Sequence, residues 1–99
     1  MVKGAEGYLP VREVAGRVNG QALRQVLARE LLGVECGGNL VVLHTRPGHA
    51  NALAVELDRD RPGEAMGTVA GDDTIFIAAR TSRQAERLAG RLRTAANLR

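Results

Sequence analysis

Apolar positions along these 99 residues follow two rhythms, one near the helical period and one near the strand period, and the switches between them lay out the chain. Between residues 20 and 32, Ala22, Leu23, Val26, Leu27 and Leu31 fall on one face while Arg24, Gln25 and Arg29 point away. This predicts a helix that Gly33 stops. Val34 to Cys36 and Leu40 to Thr45 read as strands around a Gly37-Gly38-Asn39 turn. Pro47 and Gly48 then open a second helix running to Arg59, because a proline in the first turn forfeits no hydrogen bond. Its buried stripe is Ala50, Leu53, Ala54 and Leu57, and Arg61-Pro62-Gly63 breaks the pattern. Two further strands follow, at 65–70 and 74–79. Thr81-Ser82-Arg83-Gln84 has the form of a capping box for a last helix with Ala85, Leu88, Ala89 and Leu92 on its buried side.

The order is α-β-β-α-β-β-α, which predicts an α+β domain with a four-stranded antiparallel sheet and helices on one face. Leu40-Val41-Val42-Leu43 and Ile75-Phe76-Ile77-Ala78-Ala79 are apolar at both alternating sets of positions. A sheet with one wet face should alternate apolar with polar, so something should cover the second face, and for so short a chain a subunit interface is the better explanation than a terminal helix.

Residues 1–19 carry Gly4, Gly7, Pro10 and Gly16 without periodicity and read as a linker or tail, leaving 20–99 as the folded domain. No run of 18 apolar residues and no charged-then-apolar leader is present, which points to a soluble, cytoplasmic protein. The net charge of +3 invites a nucleic-acid reading. Its basic residues are scattered, however, and Tyr8 and Phe76 are the only aromatics, so neither a stacking platform nor a helix-turn-helix or zinc-finger pattern is available. Direct sequence-specific DNA binding by this chain is not expected. The lone Cys36 lacks a His/Cys neighbourhood and reads as an ordinary strand residue.

Gly67-Thr68-Val69-Ala70-Gly71-Asp72-Asp73-Thr74 sets two adjacent carboxylates where two strands meet. Like charges this close are tolerable if solvated, as in a plain hairpin turn, or if a cation lies beside them: a metal, an internal arginine, or a guanidinium or ammonium group from a ligand. Upstream stand His44-Thr45-Arg46-Pro47-Gly48-His49-Ala50-Asn51 and then Asp58. In this order and at these short intervals, residues 20 to 96 resemble the C-terminal domain of the bacterial arginine repressor family. The Gly-Thr-Val-Ala-Gly-Asp-Asp-Thr-Ile run carries most of the likeness.

The resemblance implies a domain that binds L-arginine as co-repressor and assembles as a homohexamer from two homotrimers. A separate N-terminal winged-helix domain, absent from this sequence, would read operator DNA. Gly7-Tyr8-Leu9-Pro10 would be the remnant of the wing's last strand. It assigns L-arginine contacts to Asp72, Asp73 and Asp58, with Asp72 meeting a guanidinium across the trimer-trimer junction. Thr68 and Ala70 line the pocket. Asn51 stands where many members have Gln, one methylene longer, and lies two helical turns before Asp58 on the same face. His49 reads as a satisfied or exposed histidine, and His44 as a candidate for the subunit interface. Arginine is an effector, and no cofactor, metal, membrane or catalytic role is implied. Two rival readings stay open: an oligomerisation module without ligand affinity, and a divalent-metal site built on Asp58, Asp72 and Asp73.

Overall fold

The computed structural model describes residues 21–98, so the 1–19 linker expectation and the first residue of the expected helix lie outside the described part. Helix α1 covers residues 21–30, with Leu23 and Leu27 buried one turn apart. It ends two residues earlier than the periodicity predicts. Leu31 is buried as expected, but it already pairs with Thr45 as the first residue of strand β1, Leu31–Gly37. The ladder hydrogen bonds thus take over from the helix with no intervening loop. Gly33 is not a helix stop; it sits at an irregularity in the register of β1, facing the His44 ring.

A turn at Gly38-Asn39 returns the chain into β2, Leu40–Thr45, and Gly38 supplies the left-handed φ of +56° that the turn requires. Helix α2, Ala50–Arg59, starts after Pro47 and Gly48 rather than with them, because Gly48 adopts a φ of +83° that no α-helix contains. Strands β3, Ala65–Ala70, and β4, Thr74–Ala79, match their expected bounds. Helix α3, Ser82–Ala95, is capped by the Thr81 hydroxyl, which accepts the Gln84 amide N–H. Only half of the capping box forms, since the Gln84 side-chain oxygen is buried without a partner.

All neighbouring strands are antiparallel, in the order β1-β2-β4-β3. Paired residues project to the same side of a sheet. Val41, Leu43, Ile75, Ile77 and Ala79 therefore form one face, fully buried under α2 and α3, with Leu53, Leu57, Leu88 and Leu92 filling the layer between. The opposite face carries the row Glu35–Val42–Phe76–Val69 across all four strands, flanked by Gly37–Leu40–Ala78–Gly67. Nothing among the described residues covers it: Phe76 is 49% exposed and Val69 70%. The apolar character at both alternating sets is thus real, and the sheet presents its second apolar side outward.

Candidate functional site

Three main-chain hydrogen bonds create the site. The segment between β2 and α2 curls over the turn between β3 and β4, and its N–H groups converge on two carbonyls. Gly48 and Ala50 both donate to the Asp72 carbonyl, at 3.0 and 3.2 Å, and Thr45 donates to that of Asp73 at 2.9 Å. The positive φ of Gly48 aims its N–H into this contact. The Asp72 carbonyl also does the work of a helix cap. His49, the residue flanking α2, makes no side-chain cap, so the otherwise unpaired N–H of buried Ala50 in the first turn is satisfied by the neighbouring turn. Gly71 N–H closes the turn onto the Thr74 carbonyl at 2.8 Å.

Asp72 and Asp73 both lie in this turn, between the end of β3 and the start of β4, and both are exposed. Strand alternation therefore does not govern which way they point. Asp73 accepts the Thr74 hydroxyl at 2.9 Å. The Asp72 and Asp58 carboxylates engage no hydrogen bond or ion pair among the described residues. Two adjacent, hydrated carboxylates without an internal cation are what a cationic ligand would need to find.

Asn51 is exposed in the first turn of α2, one residue beyond the amide that holds Asp72. Asp58 lies on the same flank of the helix, roughly 10 Å farther along its axis at the helical rise. The two flank the buried stripe of Ala50, Leu53, Ala54 and Leu57. Thr68 and Ala70 are half-buried on edge strand β3, paired with Ile77 and Ile75 and so on the helix-covered side of the sheet. Asn51 is thus drawn close to the acidic turn, whereas Asp58 stands apart. Among the described residues no three His, Cys, Asp or Glu side chains converge as metal ligands, so Asp58, Asp72 and Asp73 do not form such a group. A cleft of about 920 Å³ between α1, α3 and residues 60–63 is bordered by Arg24, Asp60, Arg61 and Arg91, and none of the six candidate residues lines it.

A second cluster stands behind the clamp. Glu30, the last residue of α1, has only 8% of its side chain exposed and faces three basic groups. His49 Nδ1 lies 2.8 Å and Arg46 Nη2 3.1 Å from Oε1, while Arg29 Nε lies 3.1 Å from Oε2. The Arg46 hydrogen bond lowers the Glu30 carboxyl from its ordinary value; burial works the other way and is outweighed once Arg29 and the His49 and Arg46 charges are added. Sequence reasoning passed over Glu30. The signal was present: a carboxylate three residues after Leu27 falls on the apolar stripe of α1, a position that requires a partner.

Residues 27–94 match the family described as Arginine repressor, C-terminal domain. Over 86 residues the chain is 43% identical to an arginine repressor of Solibacter usitatus, covering 87% of this chain and 57% of the relative. An arginine repressor of Heliobacterium modesticaldum is 39% identical over 92% of this chain and 61% of its own length. One from Thermus thermophilus reaches 53% over a shorter stretch, 56% of this chain and 34% of the relative. The chain spans about half the length of the curated relatives that it matches. The motif around Asp72 and Asp73, the fold that presents it and these relatives agree: the chain belongs to the arginine repressor family, as its C-terminal domain.

Proposed function

We propose that this domain binds L-arginine as a co-repressor and carries the assembly of an arginine-responsive transcriptional regulator. One observation carries the ligand reading: two adjacent carboxylates, free of internal cations, are held on a turn whose backbone is clamped in place. An acidic pair on a preorganised turn suits the guanidinium and ammonium ends of arginine, because little backbone freedom of the turn remains to be lost on binding. Asp72 meets a guanidinium, Asp73 and Asp58 contact cationic groups, Asn51 adds a hydrogen bond, and Thr68 and Ala70 line the pocket beside the unpaired backbone of edge strand β3.

Assembly follows from the open face of the sheet. A row of Val42, Phe76 and Val69 would be covered if the same face of three copies met around a threefold axis, and that is the arrangement the homotrimer reading needs. Two trimers then bring acidic turns together, so that arginine bridges them and stabilises the homohexamer by mass action. In the whole protein, an N-terminal winged-helix domain ahead of this one would read operator DNA, and arginine metabolism would be regulated in the cytoplasm without catalysis by this domain.

Calorimetric titration of L-arginine into the purified chain, in buffer containing a chelator, tests the ligand reading. Saturable heat with L-arginine, none with L-lysine, and loss of heat in Asp72→Asn are expected. An apolar face ready for self-association would serve equally in a scaffold without ligand affinity. Silence at millimolar arginine would favour that scaffold, and heat that depends on divalent ions would favour a metal site.

A further inference from the structure

We propose that Glu30 is a positioning residue for the Asp72–Asp73 turn: it fixes the loop that holds the turn and so ties helix α1 to what binds there. The proposal rests on the arginine-site reading for its ligand, but its mechanical part stands on contacts within this chain. Glu30 closes α1 and is followed at once by Leu31 in β1, paired to Thr45. Its carboxylate reaches across to Arg46 and His49, on either side of Pro47 and Gly48. Gly48, between those two residues, and Ala50, next after His49, donate the N–H groups that hold the Asp72 carbonyl, while Thr45, just before Arg46, holds that of Asp73. The His49 N–H itself donates to the Arg46 carbonyl at 3.0 Å, closing the loop on itself. One nearly buried carboxylate thus anchors both ends of the segment that positions the acids.

The arrangement has a cost that a purely architectural role does not need. Burying a carboxylate is unfavourable unless charged partners offset it, and an apolar residue would complete the α1 stripe more cheaply. Arg46 and His49 are both substantially exposed, 53% and 42% of their side chains, so they contribute little to the core. What the cluster supplies is a fixed distance between the end of α1 and the loop over the acidic turn. By reciprocity, if the Glu30 cluster strengthens binding at the turn, a ligand bound there strengthens the cluster and so steadies the end of α1.

The test is site-resolved amide hydrogen exchange on the 99-residue chain, with L-arginine affinity measured alongside. Two variants are used: Glu30→Gln, which removes the buried charge, and Arg46→Gln combined with His49→Gln, which spares α1 should the first fold poorly. Exchange at Gly48 and Ala50 should accelerate by about tenfold or more in both variants, while Ala79 and Gln84, held by bonds elsewhere, stay within about twofold of the parent. L-arginine should bind about tenfold more weakly, the scale of one lost charge-assisted hydrogen bond. In the parent chain, saturating L-arginine should slow exchange in the last turn of α1, and that effect should vanish in the variants. Unchanged exchange at Gly48 and Ala50, or acceleration shared equally by Ala79 and Gln84, overturns the proposal. If the parent takes up no arginine, the ligand reading fails and the exchange comparison alone decides whether Glu30 positions the turn.

Discussion

Replacing Phe76 by alanine should separate assembly from folding. Phe76 lies at the centre of the outward row, paired with Val42 on one side and Val69 on the other, and 49% of it is open to solvent. Given about 200 Å² for a whole phenylalanine, a second copy would remove about 100 Å² of this ring from water. At about 25 cal/mol per Å² that is near 2.5 kcal/mol, and roughly 2 kcal/mol is lost once the area an alanine would still bury is deducted. The proposed trimer would lose it three times over. Because the half-dissociation concentration of a trimer varies as the square root of its dissociation constant, the deficit of about 6 kcal/mol should raise that concentration on the order of 100-fold. Sedimentation velocity across a dilution series reads the shift directly, and circular dichroism checks that each protomer keeps its fold. Phe76→Asp, which would bury an unpaired charge, should abolish association outright. If Phe76→Ala and Phe76→Asp sediment as the parent does while remaining folded, the open sheet face is not the interface.

Other consequences are simpler. Gly48→Ala must hold a side chain at a φ of +83°, and should lower the denaturant-derived stability by about 1 kcal/mol while loosening the loop over Asp72. Leu53, fully buried on the inner face of α2, should cost about 2–5 kcal/mol as alanine in the same assay. Glu64 provides the pH dependence. Burial raises its carboxyl, but its own backbone N–H and the Arg91 guanidinium, whose Nη1 lies 2.7 and 2.8 Å from the two oxygens, outweigh that and hold it below the ordinary 4.5. A carboxyl with a lowered folded value contributes stability that is complete above 4.5 and is lost as the pH falls through that folded value. Melting temperature should therefore drop below this point less steeply in Glu64→Gln than in the parent; parallel curves would dismiss the pair as a contributor.

The buried stripes of α2 and α3 were legible in the sequence because apolar residues recur there at helical spacing, and strands β2, β3 and β4 because short runs rich in apolar residues lie between turn signals. The misplaced boundaries have a common cause. Leu31 fits the α1 stripe and the β1 ladder equally well, and only its pairing with Thr45 decides between them. Pro47 and Gly48 look like a helix start because local statistics favour proline there, but the tertiary contact from Gly48 to Asp72 requires a backbone no helix allows. Of the candidate residues, Asp72, Asp73, Asn51, Thr68, Ala70 and Asp58 were named from the family resemblance, whereas the Glu30 cluster could not be. Two of its three partners, Arg46 and His49, are 16 and 19 positions away, and no period links them. A charged residue on an apolar stripe was the one trace it left.

The clamp over the acidic turn is made entirely of main chain: three N–H groups on carbonyls, and not one side-chain atom of Asp72 or Asp73. Substitutions at those two positions therefore leave the latch intact, so a lineage can explore new side chains there while keeping the fold that displays them. The same geometry makes the turn an interchangeable head on a fixed handle. Chains that keep Gly48 and the β3–β4 turn length but carry other residues at positions 72 and 73 should fold as this one does and differ in the molecule they accept.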